Sequence, residues 1–190
     1  MRSFLRLLVL FVPVLGISAV VAQDKYTCMT APNPPKLPMT RPSGRTHSGN
    51  SVKVAQLAGV SDTWKGTRHE IAAVPAGTTV EVLEDLIVVD APDIVWVSGP
   101  IEEMNLKQGD TILRYARLGE ARADLWTDGC WYNEVRADFV VEPDGAGCGG
   151  SNCSARVTKM GKQMWWFRIR LPNGKTGWTL SQSLYLSSGE

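Results

Sequence analysis

The chain has 190 residues, with 20 Lys and Arg against 19 Asp and Glu and a formal net charge of +1. Both signs are mixed along it, which leaves no basic footprint of the kind that nucleic acid or an anionic membrane surface requires. The length suits one or two small domains.

Met1–Ala22 opens with Arg2 and Arg6, runs apolar through Leu7–Leu15 and closes on Val20-Val21-Ala22. A charged start, a short apolar centre and a small-residue exit predict a secretory signal peptide over 1–22. The apolar run is shorter than the ~20 residues of a bilayer span, and Pro13 and Gly16 interrupt it. No Cys follows Ala22 directly, so a lipid anchor is not expected. The prediction is a periplasmic or secreted protein, without membrane insertion once the signal is cleaved. Arg2 and Arg6 leave with the signal, so 18 basic residues remain against 19 acidic, a net −1.

Residues 23–45 contain Pro32, Pro34, Pro35, Pro38 and Pro42 and show no apolar alternation. That predicts an extended, proline-rich linker. Pro35-Lys-Leu-Pro38 has a PxxP form, and it is read here as linker.

From Ser51 onward, short runs rich in Val, Ile, Thr and Trp alternate with Gly, Pro, Asp and Asn. They predict strands near 51–57, 69–74, 78–84, 86–90, 94–98, 111–117, 120–126, 130–136, 154–159, 164–171 and 175–181. No window sustains a helical period with caps. The fold class is all-β, of small barrels or sandwiches. Asp128-Gly129 has the chemistry of a type I′ hairpin turn. Pro172-Asn173-Gly174 suits a type I turn closed by a bulge.

Cys28, Cys130, Cys148 and Cys153 all follow the signal. An even count in an exported chain predicts two disulfides. The flexible Gly149-Gly150-Ser151-Asn152 favours Cys148–Cys153, which leaves Cys28–Cys130 to tie the N-terminal arm to the body. A zinc site is disfavoured, because no close Cys-x-x-Cys pair occurs. No metal and no cofactor are expected.

Trp165-Trp166-Phe-Arg-Ile-Arg-Leu-Pro-Asn-Gly-Lys-Thr-Gly-Trp-Thr-Leu180 reads as one aromatic-rich β-hairpin, and it resembles the end of a bacterial SH3-like (SH3b) domain. Val74-Pro75-Ala76-Gly-Thr-Thr-Val-Glu-Val-Leu83 resembles the middle strand of such a domain, with Ile94-Val-Trp-Val97 following. Gln108-Gly-Asp-Thr-Ile-Leu-Arg-Tyr115 repeats the phrase. The resemblance implies two small SH3-like barrels, over 46–104 and 105–187, the second carrying an insertion at Glu134–Ser154. It also implies a module that binds and does not catalyse, with cell-wall peptidoglycan as the ligand class. An exported protein partner is the alternative.

Period two divides the hairpin. Trp165, Phe167, Ile169 and Leu171 fall on a core face that Trp178 and Leu180 rejoin, and Trp166, Arg168 and Arg170 fall outside. The outward tryptophan could stack on a sugar or peptide while the guanidiniums hold a carboxylate. The opposing reading packs Trp166 under the 134–154 insertion, with the arginines covering it. Trp131 and Tyr132, after the Asp128-Gly129 turn, would extend the same surface. Trp64, Trp96, Trp126 and Trp178 are assigned to core or module contacts. With only His47 and His69, no Cys–His or zinc-amidase arrangement is in place. The remaining catalytic option is a carboxylate pair drawn from Asp128, Glu134, Asp138, Glu142 and Asp144. Loop carboxylates are more often solvated surface, so the chain is read as no enzyme.

Overall fold

A computed structural model describes residues 26–42, 49–119, 121–148 and 153–185; the expected signal segment 1–22 lies outside them. The chain is all-β, as expected, with two curled half-barrel sheets. In order the strands are β1 (Met29–Thr30), β2 (Met39–Pro42), β3 (Ser51–Val54), β4 (Ala58–Ser61), β5 (Glu70–Val74), β6 (Thr79–Ala91), β7 (Asp93–Val97) and β8 (Thr111–Gly119). They continue with β9 (Arg122–Thr127), β10 (Cys130–Arg136), β11 (Val140–Val141), β12 (Ala155–Lys159), β13 (Lys162–Arg170), β14 (Thr176–Leu180) and β15 (Leu184–Tyr185). No described helix is long and apolar enough to cross a membrane.

One sheet runs β1-β10-β9-β8-β7-β12-β11. The other runs β15-β3-β6-β13-β14-β4-β5, with β2 also paired to β6. β6 organises the second sheet. Its first residues pair with β3, its last with β2, and its other edge takes β13 along nearly its whole length. Val80 and Val82 alternate inward, whereas Ile87, Val88 and Val89 are buried in succession. A run buried without alternation marks a strand covered on both faces.

Three apolar clusters result. Val54, Val60, Val82, Phe167 and Ile169 fill the inside of the second sheet. Val95, Ile112, Leu125, Tyr132 and Phe139 fill the first. Ile87 and Val89 of β6 meet Tyr115 and Ala116 of β8, with Trp126, Trp131 and Trp165 alongside, where the sheets abut.

The strand pairing runs across the expected 104/105 boundary. The hairpin 162–180 pairs with β6 and β4, which precede that boundary. The first sheet is instead drawn mainly from 93–159, so one unit is nested inside the other. The chain leaves at Pro92-Asp93 and returns at Met160-Gly161, and the two crossings touch. Asp93 accepts the Gly161 N–H at 2.7 Å and Arg114 Nε–H at 2.8 Å. Arg114 grips Glu142 with both terminal nitrogens, at 2.5 and 2.9 Å. A Cβ on Gly161 would lie 2.2 Å from the Ala91 carbonyl, so only glycine fits this crossing.

Both expected disulfides form, Cys28–Cys130 and Cys148–Cys153. The Asp128-Gly129 turn has positive φ at both positions, 43° and 77°, as a type I′ turn requires. Other expectations need correction. Strands 78–84 and 86–90 are one continuous β6. The proline-rich stretch does not end as a free linker, because its last described residues pair with β6 as β2. The 134–154 segment contributes Phe139 and Val140 to the core and pairs β11 with β12.

Candidate functional site

The outer face of the second sheet carries the hairpin residues singled out above. Phe167 and Ile169 point inward and are fully buried. Outward, Trp166 stands opposite Leu86 on β6 and Leu180 on β14. Arg168 stands opposite Glu84 and Trp178, and Arg170 opposite Glu81 and Thr176. Trp178 and Leu180 therefore lie on this outer face and do not rejoin the core set. The inner positions of β14 are Gly177 and Thr179, because a Cβ at 177 would sit 2.6 Å from a Val60 methyl and 2.9 Å from an Ile71 methyl. β4 and β5 press so closely there that only glycine is accommodated.

Trp166 faces outward but is only 4% exposed. The described part of the 134–154 segment pairs instead within the other sheet, as β11 beside β12. The Arg68 guanidinium lies 5.0 Å from its ring centroid, reaching over from the loop between β4 and β5. Asp62 closes that loop. It accepts the His69 N–H at 3.1 Å, approaches His69 Nδ1 at 3.2 Å and donates its own N–H to the His69 carbonyl at 3.1 Å. Hydrogen bonds from the His69 backbone and ring hold the Asp62 carboxyl below its ordinary range. Within the loop, Lys65 lies 4.7 Å over Trp64.

The cations on this face differ in commitment. Arg170 pairs with Glu81 at 2.7 Å. Arg168 reaches Glu84 only at 3.8 Å, with both side chains 46% exposed, a separation and exposure at which a pair is worth little. Arg68 is exposed and, among the described residues, forms no ion pair or side-chain hydrogen bond. A guanidinium held over an indole without an ion-pair partner has N–H donors to offer a planar oxyanion. Trp166 Nε1 is buried with no hydrogen-bond partner among the described residues.

Trp131 and Tyr132 do not join this surface. They lie on β10 of the other sheet and point to opposite sides of it. Trp131 packs edge-on against Tyr115 at 5.4 Å, in the seam between the sheets. Tyr132 is buried in the first sheet's core, edge-on to Tyr26 at 6.5 Å. Trp166, Arg168 and Arg170 thus share a face, and the other two predicted residues stand apart from it. The residue that the sequence did not single out is Arg68. Its only local signal is the run Trp64-Lys65-Gly66-Thr67-Arg68-His69, aromatic and basic in a predicted turn.

The five loop carboxylates are dispersed. Glu142 holds Arg114, Asp138 pairs with Arg136 at 3.0 Å, and Asp144 accepts the Ala146 N–H at 3.0 Å. Asp128 sits in the β9–β10 turn. Glu134 has a positive φ of 50° and directs its N–H to Asp124 at 2.8 Å. Asp124, absent from the sequence reading, is fully buried and bound by Arg41 of β2, which also bonds Asn133 at 2.8 Å and pairs with Glu134. Burial pushes its carboxyl up, against the opposing pull of the Glu134 N–H and Arg41. The network pins β2 across the first sheet.

No protein-family model, curated protein or solved structure matches the chain. The chemistry of the Trp166 face therefore carries the functional reading.

Proposed function

We propose that this chain is an exported, non-catalytic binding protein that holds its ligand on the outer face around Trp166. By the SH3b resemblance of the hairpin, the ligand class is cell-wall peptidoglycan, whose peptide carboxylates suit the guanidiniums. The observation that carries the reading is Arg68, stacked on Trp166 without a carboxylate partner, with Arg168 two residues along β13 from that ring. The two positions on the strand lie about 6.8 Å apart, a spacing one peptide carboxylate and its neighbouring amide can span. Strands on both sides fix the platform, so little ordering is needed on binding. Two disulfides support an oxidising destination.

Co-sedimentation with purified sacculi tests the reading. The wild type is expected in the pellet. Arg68→Ala and Arg168→Ala are each expected to weaken retention about tenfold or more, the scale of a lost charge-assisted hydrogen bond. Absence of the wild type from the pellet, or equal retention of both variants, counts against it.

An exported protein partner is the second reading. It is favoured by β5, the end strand of its sheet, which carries the exposed Ile71. One stoichiometric protein recovered by affinity purification from periplasmic extract would select it.

A further inference from the structure

We propose that the Trp166 indole N–H is a concealed ligand donor, reserved for a backbone carbonyl of a bound peptide. It is uncovered when Arg68 turns off the ring to take that peptide's carboxylate. The inference rests on the reading that ligand is held on this face, and it names the group there that distinguishes peptide from sugar. Trp166 is only 4% exposed, and its Nε1 is buried with no hydrogen-bond partner among the described residues. Buried polar groups are almost always partnered, and a lone buried donor is costly to keep.

No neighbouring side chain supplies the missing acceptor. Across the two flanking strands the ring stands opposite Leu86 and Leu180, whose side chains have no polar atoms. Arg68, which lies over the ring, is a donor only. Glu84 and Glu81, farther along β6, stand opposite Arg168 and Arg170 and approach those cations. An indole nitrogen is likewise a donor only. The unmet demand is therefore for acceptors, an oxyanion for Arg68 and a neutral oxygen for Nε1.

A peptide terminus offers both in one piece. Its carboxylate and the preceding carbonyl belong to neighbouring residues, whose Cα atoms are about 3.8 Å apart. With the carboxylate on Arg68, whose guanidinium starts 5.0 Å from the ring centroid, that carbonyl falls beside the same ring. A sugar fits less well, since each hydroxyl also brings a donor that needs an acceptor in turn.

The cover is of a kind that gives way. Arg68 is exposed and, among the described residues, has no ion pair or side-chain hydrogen bond. An exposed cation–π contact is weak beside a charge-assisted hydrogen bond to a carboxylate. The base of the loop stays closed meanwhile. The His69 N–H goes to the Asp62 carboxylate and the Asp62 N–H to the His69 carbonyl, each at 3.1 Å. Exchange of the cover then needs only the Arg68 side chain to move.

The test places at position 166 benzothienylalanine, a tryptophan analogue in which sulfur replaces the indole N–H, so that the fused ring stays and the donor goes. The analogue protein should melt within a degree or two of the wild type, because the group removed had no partner. It should bind soluble muropeptides roughly five- to tenfold more weakly, the scale of one hydrogen bond. In the isotope-labelled wild type, the Trp166 indole resonance is assigned by its absence from the analogue protein. It should move downfield at saturation with muropeptide and stay in place with the disaccharide that lacks the peptide. The inference is overturned if analogue and wild type bind equally, if the indole resonance does not move at saturation, or if the disaccharide moves it as far. Where Arg68→Ala still weakens binding, those results remove the indole's role and leave the outer face as the site. A wild type that binds no muropeptide overturns both.

Discussion

Asp93→Ala should be among the most damaging single changes in this protein, because Asp93 joins the two crossings between the sheets. Its carboxylate accepts both the Gly161 N–H and the Arg114 guanidinium, and Asp93 and Arg114 are both nearly inaccessible to solvent. Removing one partner of a buried pair costs about 3–5 kcal/mol. Arg114 keeps its bidentate grip on Glu142, which places the cost near the lower end, about 3 kcal/mol. The orphaned Gly161 N–H adds about 1 kcal/mol. At about 2–4 °C per kcal/mol for a chain of this size, melting should fall by roughly 10 °C. Asp90→Ala is the internal control. Asp90 pairs with Lys162 at 2.9 Å on the same corner, but the side chains are 32% and 66% exposed, so its loss should cost less than about 1 kcal/mol. Melting followed by near-ultraviolet circular dichroism, sensitive to the tryptophans at the seam, compares the two. If Asp93→Ala melts within a degree or two of Asp90→Ala, the crossings do not depend on this carboxylate and the reasoning is wrong.

Three further outcomes follow from the same contacts. Replacing Cys28 and Cys130 by Ser should cost about 4–5 kcal/mol in urea unfolding, since the bridge closes a span of 102 residues. The same change at Cys148 and Cys153, which are 5 apart, should cost only about 2 kcal/mol; equal losses would refute the loop-length argument. Trp166→Ala should destabilise by about 3–4 kcal/mol as a buried aromatic, while Arg68→Ala, an exposed cation–π partner, should cost under about 1 kcal/mol. The reverse order in denaturant would show that Arg68, not Trp166, anchors this face. Tyr26, raised to about 12 from an ordinary 10.0, favours the folded state while protonated. Its stabilisation is complete below pH 10 and is lost as pH rises from 10 to 12, so Tyr26→Phe should flatten the alkaline decline in that window. Burial raises Tyr115 and Tyr132 as well as Tyr26, so absorbance titration of the phenols should show one late-titrating group fewer in the variant than in the wild type.

Much of the local architecture was legible in the residues. Period-two runs located most strands, and the Asp128-Gly129 and Pro172-Asn173-Gly174 turns carry chemistry that forces their hairpins. The cysteine pairing followed from loop flexibility. The nesting was not legible. The hairpin and β6 are each amphipathic ribbons, and alternation alone does not say which ribbon is whose neighbour across 70 or more residues. The same limit governed the site. Trp166, Arg168 and Arg170 share a face because period two requires it, yet the cover on Trp166 comes from Arg68, some hundred positions earlier. Trp178 was assigned inward by its apolar character, whereas close packing of β4 and β5 reserves the inner position for Gly177. Trp131 and Tyr132 are neighbours in sequence, and in a strand that alone sends them to opposite sides.

The central claim is that ligand is held on the outer face between the 62–69 loop and β14. Amide hydrogen exchange with and without soluble muropeptides tests it most directly. The account predicts slowed exchange at 62–69 and 176–180, abolished by Arg68→Ala. Saturating muropeptide that leaves those two segments unchanged, or slows exchange equally in Arg68→Ala, would contradict it.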